Sequence, residues 1–144
     1  MMKKLLFSLL LLSGTSYAAD AIYTPWYNNL AIKGYDSVAY FTDNAPIEGS
    51  KQYQYQWQGA IWQFSNAEHL AMFKAQPEKY APQYGGYCAY AVANNSTASI
   101  EPEQFTVNQG KLYLNYDAEI QKKWLAQRDN YIADADKNWP SVLK

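Results

Sequence analysis

From Tyr53 to Trp57 the chain alternates aromatic residues with glutamines, pauses at Gln58-Gly59, and resumes an apolar run from Ile61 to Phe64. A period of two marks strands with one face buried, and the Gln-Gly pair supplies the turn between them. The aromatic stripe Tyr53, Tyr55 and Trp57 has two readings: packing against a core, or a flat platform for carbohydrate. A second hairpin is predicted over "FTVNQGKLYLNY", with Asn108-Gln109-Gly110 as its turn.

Helical spacing takes over after each hairpin. In "SNAEHLAMFKAQPEKY", Ser65 and Glu68 stand three residues apart, the spacing of a capping box. Ala67, Leu70 and Phe73 then form the face expected to be buried. Met72 points away from that face, and His69 lies one helical step from both Met72 and Phe73. Pro77 is expected to end this helix. In "DAEIQKKWLAQRDNYIADADKNWP", Ile120, Trp124, Tyr131, Ala135 and Trp139 recur near helical spacing up to Pro140.

The remaining segments read as connections. "AIYTPWYNNLAIKG" is a mostly extended arm ended by Gly34, after which Asp36 is a plausible N-cap for a short turn carrying Val38 and Phe41. "YAPQYGGYCAYAVANN" reads as a glycine turn feeding a strand-like run from Tyr87 to Val92. No internal repeat or low-complexity segment is legible. The fold class expected is α+β: a single small domain of antiparallel β-hairpins packed with helices.

The first 18 residues read as an export signal. Lys3 and Lys4 precede an apolar run from Leu5 to Leu12, and Ser16 and Ala18 offer small residues for cleavage after Ala18. The domain would then occupy 19–144, in the periplasm or secreted, with no membrane span. Loss of the two lysines takes the formal net charge from −1 to −3. That excess argues against nucleic acid or an anionic membrane surface, which are bound through basic patches. Tyrosine is the dominant aromatic; its ring fills a core while its hydroxyl still reaches water.

Catalytic motifs are sparse. There is no CxxC, HExxH, GxSxG or phosphate-binding glycine loop. Cys88 is the only cysteine, so an intramolecular disulfide is ruled out. Four states stay open to it: a buried small hydrophobe, a reactive thiol, a metal ligand or an intermolecular disulfide. Cys88, His69 and Met72 are the only soft or borderline donors of the chain after cleavage. Cu(I) favours thiolate and thioether, accepts imidazole and tolerates two or three ligands. The Gly85-Gly86 pair before Cys88 supports either an anion-binding nest or a tight turn.

The segments "GYDSVAYF", "WQFSNAEHLAMFKAQPEKYAPQYGGYCAYAV", "GKLYLNY", "QKKWL" and "ADKNWP" together resemble the YHS domain-containing family, in its longer exported bacterial form. The match runs in order over nearly the whole chain after the signal. It makes Gly34, Asp36, Ser65, Glu68, Gly85 and Gly86 motif residues. Short YHS domains occur in metal-handling proteins such as copper-transporting ATPases and are similar to cysteine-based TRASH modules. Their pattern is roughly D-P-V-C-G-M followed by F-C-S-x-x-C-x-x-x-F. Laid on this chain, Ala39 and Ser65 stand where the first two cysteines would be, and His69 stands at the third.

The reading that follows is a non-enzymatic exported binding protein. Its expected ligand is a copper-type metal ion held by Cys88 with His69 and Met72. Two alternatives remain: a thiol redox or nucleophilic protein using Cys88, and an interaction module binding a protein or glycan through an aromatic surface.

Overall fold

The computed structural model describes residues 19–144. The expected export signal lies outside the described residues. A 3-10 turn (Ala31–Gly34) leads into the short helix α1 (Ala39–Thr42), the hairpin β1 (Ser50–Trp57) and β2 (Ala60–Phe64), then α2 (Ala67–Ala75) and α3 (Pro77–Tyr80). A second 3-10 turn (Gln83–Gly86) leads into α4 (Ala89–Ala93), the hairpin β3 (Phe105–Asn108) and β4 (Lys111–Leu114), then α5 (Ala118–Ala126) and α6 (Arg128–Asn138). The class is α+β, with two separate two-stranded antiparallel sheets. Among the described residues no helix is long and apolar enough to cross a membrane.

The order of elements occurs twice. Turn, short helix, hairpin and two helices recur with an offset of 50 to 52 residues, as Ala39 to Ala89, Ala67 to Ala118 and Asp36 to Cys88 show. Details recur as well. Both hairpins turn on Gln-Gly with positive φ at both residues, the signature of a type I′ turn (Gln58 and Gly59; Gln109 and Gly110). The caps agree too: Asn66 accepts from the His69 N–H to start α2, and Asp117 accepts from the Ile120 N–H to start α5. Gln76 and Gln127 then occupy matching breaks, after which α3 and α6 begin. Phe73 and Trp124 are the fully buried aromatic residues at one matched position. Identities accompany the repeated order at an offset of 51, among them Ala67 with Ala118, Glu68 with Glu119, Gln76 with Gln127 and Tyr80 with Tyr131, but they are scattered rather than contiguous.

The two halves share a core. One buried cluster joins Val38, Tyr40, Trp62, Phe64 and Phe73 of the first repeat to Cys88, Ile100, Leu112 and Leu114 of the second. A second cluster gathers Tyr84, Tyr87, Val92, Tyr113 and Trp124 with Leu143. Tyr53, Tyr55 and Trp57 are half-buried; the Tyr55 and Trp57 rings lie 6.2 and 5.7 Å from Phe73. Edge-on aromatic contacts of this kind belong to core packing.

Three local expectations are corrected. Tyr87 to Val92 is not a strand: Cys88 is the N-cap residue of helix α4. A run of alternating tyrosines and alanines fits either element, and the short apolar stretch gave no period to decide. Ser65 is not the cap of α2, because Asn66 takes that role and Ser65 turns its hydroxyl to Asp36. Glu68 is therefore no partner in a capping box. It is exposed in the first turn of α2, where a negative charge still favours the helix dipole. The C-terminal segment is two helices rather than one, broken at Gln127 with φ −139° and ψ 42°.

Candidate functional site

Asp36 is completely buried, and five donors surround its carboxylate. Oδ1 accepts from the backbone N–H groups of Val38 (2.9 Å) and Ala39 (3.2 Å), which fixes the entry to α1. Oδ2 accepts from Ser65 N (2.9 Å), Ser65 Oγ (2.7 Å) and His69 Nδ1 (2.6 Å). Val38, rather than Asp36, is the N-cap residue of α1, and Asp36 Oδ1 instead holds the two N–H groups at the helix entry. The other oxygen joins the entry of α1 to the end of β2 and the first turn of α2. A buried charge is tolerable only when its hydrogen-bonding capacity is met in this way.

The left-handed turn before Asp36 places it. Ile32, Lys33 and Gly34 all have positive φ, and the Tyr35 N–H closes the turn onto Ile32 O (3.0 Å). Gly34 has φ +85°, and a Cβ there would sit 2.9 Å from Gln63 Oε1. Its glycine identity therefore answers to both backbone conformation and space.

Because a carboxylate oxygen only accepts, the contact assigns the ring proton of His69 to Nδ1. In the neutral ring Nε2 then carries the lone pair. It lies 3.3 Å from Thr42 Oγ1 at the end of α1, and the histidine is 8 % exposed. Met72 is half-buried one turn further along α2, packed against the core. Hydroxyl, imidazole and buried carboxylate follow the order of a hydrolase triad. The Thr42 hydroxyl has other uses for its single proton, however, with Val38 O at 3.3 Å and Asp43 Oδ2 at 3.2 Å.

Cys88 occupies the matching position in the second repeat. Tyr84, Gly85 and Gly86 form its left-handed turn, closed by Tyr87 N–H to Tyr84 O (3.0 Å). Gly85 O also accepts from Tyr23 N (2.8 Å), so the glycine pair makes a tight turn that grips the N-terminal arm. The thiol is 1 % exposed, and burial pushes its pKa up from the ordinary 9.0. Sγ lies 3.5 Å from Asn115 Oδ1. Asn115 is fully buried one residue past β4 and two residues before the α5 cap Asp117, so it matches Phe64 rather than Ser65 in the order of elements. Its oxygen also accepts from Tyr90 N (3.1 Å), and its amide donates to Gln121 Oε1 (2.6 Å). Gln121 passes the chain on to Phe105 O (3.0 Å) and Thr106 Oγ1 (2.9 Å).

The three expected metal donors differ in their hydrogen-bond partners, although Met72 packs against the core cluster that holds Cys88. His69 and Met72 share helix α2 beside Asp36, whereas Cys88 is hydrogen-bonded within the second repeat and shares no polar partner with His69. Among the described residues no three His, Cys, Asp or Glu side chains gather as a metal-binding group. Thr42, Asn115 and Gln121 were not singled out from the sequence. Only the tertiary fold places them beside the histidine and the cysteine, and a lone Thr or Asn in a loop carries no signal of its own.

A comparison with protein-family models, curated proteins and solved structures finds no match to the chain.

Proposed function

We propose that the chain is an exported YHS-type domain that binds a soft metal ion, copper by its donor chemistry, at the outer edge of the Asp36–His69 pair. His69 Nε2 is the first donor and Met72 Sδ the second. One observation carries the reading: the 2.6 Å contact of His69 Nδ1 with buried Asp36 Oδ2. Metal-bound histidines characteristically donate their other ring N–H to a carboxylate, which fixes the tautomer and the ring orientation. Imidazole and thioether on adjacent turns of one helix suit a two- or three-coordinate Cu(I) ion.

Cys88 is left out of this donor pair. Its thiol is buried, its polar contact is Asn115, and burial disfavours the thiolate that a metal would need. The export reading rests on the basic and apolar pattern before Ala18 and is tested by N-terminal sequencing of the secreted protein.

Competition between the purified domain and a Cu(I) chelator tests the metal site. The expected result is near-stoichiometric binding that persists in Cys88→Ala, weakens in Met72→Leu and is lost in His69→Gln. Binding that survives His69→Gln, or no binding by the wild-type protein, overturns the proposal.

A further inference from the structure

A cleft of about 550 Å³ opens away from the Asp36–His69 pair, between the two repeats. The tip of the first hairpin gives it Trp57 and Gln58, and α3 gives it Glu78. The second repeat supplies Lys111 at the start of β4, Asp136 near the end of α6 and Trp139 just beyond. The volume falls in the range of small-molecule sites, about 300–1,000 Å³, and such sites favour the junction of two structural units.

Its chemistry is mixed in a particular way. Trp57 and Trp139 are both partly exposed, so the lining includes accessible indole surface. Glu78, Asp136 and Lys111 have no ion-pair partner among the described residues. Asp136 is oriented: its Oδ1 accepts from the hydroxyl of buried Tyr84 (2.9 Å), leaving Oδ2 for another donor. Burial, reinforced by that bond, pushes the Tyr84 hydroxyl well above its ordinary titration range.

Charge and shape narrow the ligand. An anion would meet two carboxylates, and a cation would meet Lys111. A wholly apolar molecule would desolvate all three charges without giving them a partner. A neutral polyhydroxylated ring satisfies every group: its hydroxyls donate to carboxylates and accept from lysine and amide, and its C–H face lies against indole. We propose that this cleft is a saccharide-binding site, independent of the metal site proposed above.

Titration of the full domain with maltotriose, cellotriose and triacetylchitotriose, followed by tryptophan fluorescence and by saturation-transfer NMR, tests the assignment. Choline chloride and inorganic phosphate serve as the charged probes. The expected result is saturable binding of at least one trisaccharide, weakened tenfold or more in Asp136→Asn combined with Lys111→Gln. Gln58→Gly, compatible with the φ of +48° at that position, provides a second variant and should also weaken binding. The proposal is overturned if no trisaccharide binds below about 10 mM, the weak end of specific recognition. Tighter binding of choline or phosphate, or saccharide binding indifferent to all three substitutions, overturns it as well.

Discussion

His69 Nδ1 lies 2.6 Å from Asp36 Oδ2 across a sequence separation of 33 residues, and both groups are buried. The pair ties the entry of α1 to the first turn of α2. Asp36→Asn replaces an acceptor with a donor that faces Ser65 and His69. Removing one member of a buried pair costs about 3–5 kcal/mol. Ser65→Ala removes a single hydroxyl donor and should cost about 1–2 kcal/mol. Urea unfolding of the two variants measures both, and the aspartate change should be clearly the larger.

Cys88 should be unreactive in the folded protein. Iodoacetamide is expected to modify it slowly under native conditions and fully in denaturant, because the thiol is 1 % exposed and its pKa is raised by burial. Fast native alkylation near neutral pH would restore the reactive-thiol reading.

The same shift has a pH consequence. A thiol whose folded pKa lies above its unfolded value contributes stability that is complete below about pH 9 and is lost as pH rises through the folded value. Tyr87 acts likewise at higher pH: burial pushes its hydroxyl from 10.0 to about 12, so its contribution is lost between those values. The urea midpoint should therefore fall above pH 9, and Cys88→Ala should show a shallower fall just above that pH.

Asn115→Asp should be severely destabilising. It places a negative charge at a fully buried position and removes the amide that donates to Gln121 Oε1. An unpaired buried charge of this kind belongs to the small class of substitutions costing more than about 4 kcal/mol. Asn115→Ser, which keeps an oxygen near Tyr90 N, should cost less. Thermal unfolding of both variants measures the difference.

Gly85 and Gly59 offer a matched pair of backbone tests. Both have positive φ, but a Cβ on Gly85 collides with Ala21 O, whereas a Cβ on Gly59 meets nothing. Gly59→Ala should cost about 1 kcal/mol from conformation alone. Gly85→Ala should cost several times more and loosen the N-terminal arm, whose Tyr23 N–H bonds Gly85 O. Hydrogen exchange at Tyr23 detects the loosening.

What could be read in the sequence was whatever a local period encodes. The alternation from Tyr53 to Trp57 and the Gln-Gly pair placed the turn and the second strand to within one residue, while β1 begins at Ser50, three residues before the alternation. The spacing around His69 and Phe73 placed α2. Cys88 was misplaced on a strand because the alanines and tyrosines around it suit a helix equally well. Asp36 was legible as a residue at the start of α1, but its bond to His69 was not, since nothing local connects residues 33 apart. The repeat escaped for a related reason. Phe73 and Trp124 share a buried position, and Asp36 and Cys88 share a place after a left-handed turn, but each pair differs in residue type, and the identities that do recur are scattered.

The doubled order of elements bears on how such a chain arose. Each half, 31–80 and 83–138, falls short of the about 60 residues at which a domain is already marginal by itself. The cluster around Phe64 and Phe73 also takes in Leu112 and Leu114 from the other half. An ancestral single unit would have needed a second copy to cover its apolar face, and joining two genes end to end would have made that partnership permanent. Cutting the chain between Ala81 and Gln83 should therefore give two fragments that are unfolded alone by circular dichroism and fold on mixing.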